Sequence, residues 1–69
     1  MNTTFTLPTA AEMLEILKTL FSESLTAHIK NSPGTYHYYQ ACAYGTALQK
    51  MGMSRDDVER FAAEIRTKI

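Results

Sequence analysis

Apolar residues recur at helical spacing through the first half of the chain. They stand at Met13, Leu14, Ile16, Leu17, Leu20, Phe21, Leu25 and Ala27, the rhythm that sets one side of an α-helix against a core. On a helical wheel they fill about half the circumference, and Glu12, Glu15, Lys18, Thr19, Ser22, Glu23, Thr26 and Lys30 fill the rest. A face that wide predicts contact with two neighbours at once. The start is marked by Pro8, then Thr9, then Glu12 three residues later. In such a capping box the hydroxyl takes a free amide of the first turn and the carboxylate reaches back to the cap. The pattern predicts a first helix over about 10–30.

Asn31-Ser32-Pro33-Gly34 is the strongest break, since proline cannot continue a helix and glycine frees the turn. Thr35 is placed to cap a second helix over about 36–51. Gly52 fits the position just past its end, where a left-handed conformation is common. Ser54, with Asp56 and Asp57 behind it, opens a third helix over about 55–68. Its stripe of Val58, Phe61, Ala62, Ile65 and Ile69 is narrow. Asp56 with Arg60, and Glu64 with Lys68, are i,i+4 pairs on the solvated side. Ahead of Pro8, Thr4-Phe5-Thr6-Leu7 alternates polar and apolar. Residues 1–8 are read as a short arm, either laying Phe5 and Leu7 on the bundle or pairing as a strand with a second copy. The expected fold is all-α: one domain over 1–69, a three-helix bundle with a long first helix and a short extended N-terminal arm.

The second helix is unusual. All four tyrosines fall in GTYHYYQACAYGTALQ, residues 34–49, and small residues fill most of the space between them. One side of its wheel carries Tyr36, His37, Ala41, Tyr44, Ala47, Leu48 and Met51, the expected core face. The other carries Tyr38, Tyr39, Cys42, Gly45, Thr46, Gln49 and Lys50. A glycine inside a helix costs up to about 1 kcal/mol against alanine, and tyrosine is enriched at interfaces because it buries area yet keeps a polar tip. A small-residue floor between aromatic walls suits a docking surface. Tyr38, Tyr39, Cys42, Gly45 and Gln49 are therefore the candidate partner-binding residues.

Composition narrows the classes. At 69 residues and 45% hydrophobic content the chain reads as folded rather than disordered. A domain of this size buries only about 60% of its unfolded surface, so small scaffolds lean on disulfides, metals or a second subunit. The single cysteine excludes an intrachain disulfide and fits a reducing compartment. No metal-ligand cluster stands out, which leaves tight packing or association, and a homodimer is expected. Seven basic and seven acidic residues give a net charge of zero, without the basic excess of an electrostatic nucleic-acid binder. No apolar run approaches a bilayer span. MNTTFTLPTA has neither the basic nor the long apolar segment of a signal peptide. The expected setting is cytoplasmic, with no membrane contact.

Candidate chemistry is sparse. Ser24 and His28 stand at i,i+4, the spacing of a nucleophile and its base, but lack a third orienting group. They are expected to satisfy each other or a tyrosine hydroxyl. His28, His37 and Cys42 diverge too far to make a metal site. No positive neighbour is assured to activate Cys42, so it reads as a small, partly buried side chain. No enzyme, cofactor or metal is expected.

ALQKMGMSRDDVERFAAEI, residues 47–65, resembles a helix-turn-helix unit. That resemblance implies that the third helix would offer Arg55, Asp56, Asp57, Glu59 and Arg60 to a DNA groove, where carboxylates would face phosphates. The MGMS turn looks like the Met-Gly-Phe loop of ubiquitin-associated three-helix domains, with Met53 replacing the phenylalanine and the loop after helix 2 instead of helix 1. The favoured reading is a small non-enzymatic protein–protein interaction module, a modulator or inhibitor of a larger protein. The alternative is a DNA-binding regulator using residues 47–65.

Overall fold

A computed structural model of the chain describes residues 6–31 and 35–69. Three helices run in order: α1 Ala10–Lys30, α2 Tyr36–Lys50 and α3 Arg55–Thr67. Among the described residues there is no strand. The fold is a small all-α three-helix bundle, as the periodicity predicts.

Local chemistry explains the boundaries. At the start of α1 the Glu12 amide donates to Thr9 Oγ1 at 3.1 Å, and the Thr9 amide donates to Glu12 Oε1 at 2.8 Å. Both halves of the capping box are made. At α3, Ser54 Oγ accepts from the Asp57 amide at 3.1 Å. The α2 start differs from expectation. Thr35 is its cap residue but has helical dihedrals, φ −99° and ψ −12°, and makes no side-chain cap bond. A capping side chain needs the extended backbone seen at Thr9 and Ser54.

The end of α2 is a Schellman turn. The Met53 amide donates to the Leu48 carbonyl at 3.1 Å and the Gly52 amide to the Gln49 carbonyl at 3.0 Å. These bonds satisfy carbonyls the helix would leave free. Gly52 takes φ +111°, where a side chain is strained. Met53, just past the glycine, packs against the core, supplying the apolar contact that accompanies this turn.

The core consists of Phe21, Leu25, Ala41, Leu48, Val58, Ala62 and Ile65. Leu48 is wholly buried. Its truncation to alanine costs about 2–5 kcal/mol, depending on how far the cavity relaxes. Phe61 stacks on Phe21 with ring centroids 5.7 Å apart, and Lys18 Nζ lies over the Phe61 ring at 5.2 Å. Lys18 is therefore half-buried and not part of a plain solvated face.

The broad apolar face of α1 meets both α2 and α3. Its fully buried residues, Phe21, Ser24 and Leu25, all lie in the second half of the helix. Leu14 and Leu17 pack at the core edge, and Ile16 is 47% exposed. Leu7, expected to lie on the bundle, is 84% exposed. Phe5 and the Ser32-Pro33-Gly34 break lie outside the described residues. The ion pairs on α3 also differ from expectation. Arg60 meets Asp57 at 3.5 Å, one turn back and not at Asp56, and Arg55 meets Glu59 at 3.3 Å.

Candidate functional site

Three strips of side chains at helical spacing converge on one cleft. α1 contributes Phe21, Leu25 and His28; α3 contributes Val58, Ala62 and Arg66; α2 contributes Tyr38, Ala41, Cys42, Gly45, Thr46 and Gln49. The cleft volume is about 340 Å³, at the lower end of ligand-sized pockets. Its floor is the open side of the core, where Phe21, Leu25, Ala41, Val58 and Ala62 meet. Tyr38, Cys42, Thr46, Gln49 and Arg66 are exposed and form the rim.

A side chain at residue 45 would crowd the helices that face it. A Cβ built there would stand 3.3 Å from Phe21 Cε1 and 3.6 Å from Val58 Cγ1. The residue is buried, so its surroundings differ from the wheel, which sets it opposite the core. The buried line of α2 is Ala41, Gly45 and Leu48, while Tyr36 and Met51, read as core, are exposed. The helix is turned part of the way from the expected phase: Ala41, Tyr44 and Leu48 of the expected face meet the core, and Gly45 is buried beside them. Four of the five candidate partner residues, Tyr38, Cys42, Gly45 and Gln49, thereby line one cleft. Tyr39 stands outside it, 65% exposed, with its ring edge against Tyr38 at 5.6 Å.

An aromatic wall closes one side. His28 and Tyr38 have ring centroids 5.3 Å apart. Cys42 lies one turn beyond Tyr38, and the nearby thiol raises the phenol pKa above its ordinary value. Cys42 itself is exposed, not partly buried as expected.

The Ser24–His28 pairing does not form. Ser24 Oγ is hydrogen-bonded to Gln40 Oε1 at 3.4 Å. Gln40 also meets His37 Nδ1 at 3.4 Å and donates to the Tyr36 hydroxyl at 3.2 Å. This polar hub ties α2 to buried Ser24 across the α1–α2 interface. His28 Nδ1 is buried and has no hydrogen-bond partner among the described residues. A serine tied to an amide and a histidine with an unmet nitrogen make no nucleophile–base pair. Gln40 and Arg66 are the residues that sequence reasoning missed. Gln40 acts through a partner distant in sequence, and Arg66 joins the cleft only through the packing of α3.

Among the described residues, no group of three or more potential metal-ligating side chains comes together, and no helix is long and apolar enough to cross a membrane. Compared with models of known families, with curated proteins and with solved structures, the chain matches none.

Proposed function

We propose that the domain is a small non-enzymatic protein–protein interaction module, which modulates a larger protein by taking part of it into the cleft between α1, α2 and α3. One observation carries this reading: apolar core atoms of Phe21, Leu25, Val58 and Ala62 line a cleft rimmed by exposed Tyr38, Gln49 and Arg66. The floor residues are already at least nine-tenths buried, so the apolar surface that a partner removes from water, the main favourable term in association, comes mostly from the rim, where Tyr38 is 48% exposed. Tyrosine and arginine are among the residues that most often anchor interfaces. The DNA-binding alternative has less support. The exposed start of α3 carries Asp56, Asp57 and Glu59, and Arg55 and Arg60 are paired with Glu59 and Asp57. A cytoplasmic setting belongs to the same proposal and rests on the lone thiol.

Homodimerisation remains a second proposal and draws on another face. Ile16, 47% exposed, lies beside Glu15, Thr19 and Leu20 on the outer side of α1. Ile16→Glu should then reduce sedimentation to that of a monomer, and an unchanged association state removes this face from consideration.

The test of the module uses the native thiol. Cys42 is the only cysteine and lies on the cleft rim, so a bulky maleimide there obstructs the cleft without mutation. Pull-downs from source-cell lysate would compare free and blocked protein, with circular dichroism as a fold control. The proposal expects a partner retained by the free protein and lost from the blocked one. Equal recovery would place the contact elsewhere. Tyr38→Ala should weaken retention more than Tyr39→Ala, because only Tyr38 lines the cleft.

A further inference from the structure

We infer that the occupant of the cleft is an acidic amphipathic segment of another protein, with an apolar side chain on the floor and a carboxylate on Arg66. This rests on the interaction reading above and narrows it. The chemistry of the lining is one-sided: Arg66 lines the cleft, while no aspartate or glutamate does. The other polar side chains are a phenol, an imidazole, a thiol, a hydroxyl and an amide, from Tyr38, His28, Cys42, Thr46 and Gln49.

Arg66 also differs from the other arginines. Arg55 and Arg60 each hold a carboxylate on their own helix, whereas Arg66 has none within ion-pair reach among the described residues. A guanidinium presents a planar fork of donors that matches a carboxylate with two parallel hydrogen bonds. The floor of Phe21, Leu25, Val58 and Ala62 provides nothing for a charge and fits an apolar side chain. A ligand that satisfies both needs its acid beside its apolar group.

A second copy of this chain is a poor occupant. A two-fold contact sets the same patch on both sides, so Arg66 would face a lining without an acid. A nucleic-acid backbone fits no better, because one guanidinium above an apolar floor neutralises few phosphates.

The test is selection of a random phage-displayed peptide library on the wild-type protein, with counter-selection on protein blocked at Cys42. Enriched peptides are synthesised and measured by fluorescence polarisation against wild type, Arg66→Gln and Arg66→Glu. The expected result is enrichment of Asp or Glu beside a large apolar residue. Binding should fall about tenfold in Arg66→Gln, the scale of one lost charged hydrogen bond. It should recover when Arg66→Glu meets a peptide whose acid is exchanged for lysine. Both sites of change are exposed, and circular dichroism checks that the variants fold. Peptides that require the open cleft but lack an acid, and that ignore Arg66→Gln, overturn this inference and leave the interaction module standing. Failure to select any peptide that prefers the open cleft overturns both. Self-association abolished by the Cys42 adduct assigns the cleft to a second copy and overturns the inference.

Discussion

Phe21 occupies the space that a side chain on residue 45 would need: its Cε1 would be 3.3 Å from a Cβ there. That approach is tighter than ordinary van der Waals contact, so a larger side chain at residue 45 has to displace the Phe21 ring. Gly45→Leu should destabilise the domain by about 1–3 kcal/mol through overpacking. Helix propensity alone predicts the opposite sign. Chemical denaturation followed by circular dichroism separates the two, and a Gly45→Leu variant at least as stable as wild type would show that residue 45 faces open space.

The turn between α2 and α3 makes a different demand on glycine. At Gly52 nothing lies within 4 Å of a built Cβ, yet φ is +111°. Here strain and not crowding sets the cost. Gly52→Ala should lower stability by about 1–2 kcal/mol, the penalty of left-handed backbone for an ordinary residue. A variant that unfolds at the wild-type denaturant midpoint would contradict the Schellman geometry.

Lys18 is a surface lysine with a measurable role. The sequence pattern puts it on the polar side of α1, where Lys18→Ala should shift stability by less than about 0.5 kcal/mol. Its ammonium instead lies over Phe61, which stacks on Phe21. Exposed contacts of this kind contribute about 0.5–1 kcal/mol. A double-mutant cycle with Phe61→Leu should show coupling between the two positions, and additive losses would mean that the ring and the ammonium do not interact.

The capping box at α1 gives a pH dependence of known sign. Hydrogen bonding from the Thr9 backbone, and secondarily its side chain, holds the Glu12 carboxyl below its usual value. A depressed folded-state pKa stabilises the fold above the unfolded-state pKa, and this contribution is lost as pH falls through the folded-state value. The loss therefore falls in the acid range. In NMR titration the Glu12 carboxyl of the folded protein should titrate below the same carboxyl in the unfolded chain, and Thr9→Ala, which keeps the donating backbone amide, should remove only part of that difference. Equal values in the folded and unfolded chain would show that the box is open in solution.

Helix boundaries were the most legible feature because capping chemistry is local. Thr9 with Glu12, Gly52, and Ser54 with Asp57 each act within a few residues of a helix end. The orientation of α2 was less legible. Its buried line is two small residues and one leucine, so hydrophobicity gives the wheel little to align on: Ala41, Tyr44 and Leu48 of the expected face meet the core, Gly45 joins them, and Tyr36 and Met51 do not. The Ser24–Gln40 bond joins residues 16 apart, beyond any i,i+4 rule. The cleft residues on α2 were nameable from their odd composition. Arg66 was not, because an arginine in the last turn of a helix is ordinary until another helix packs beside it.

A partner seated in the cleft should leave its mark on amide NMR spectra of the labelled protein, titrated with a cleft-selected peptide or the recovered partner. Shifts should concentrate at Gly45, Thr46, Gln49, Ala62 and Arg66, with Glu15, Ile16 and Thr19 on the outer side of α1 unmoved. Shifts confined to that outer side, or to Arg55–Arg60 at the start of α3, would place the contact outside the cleft.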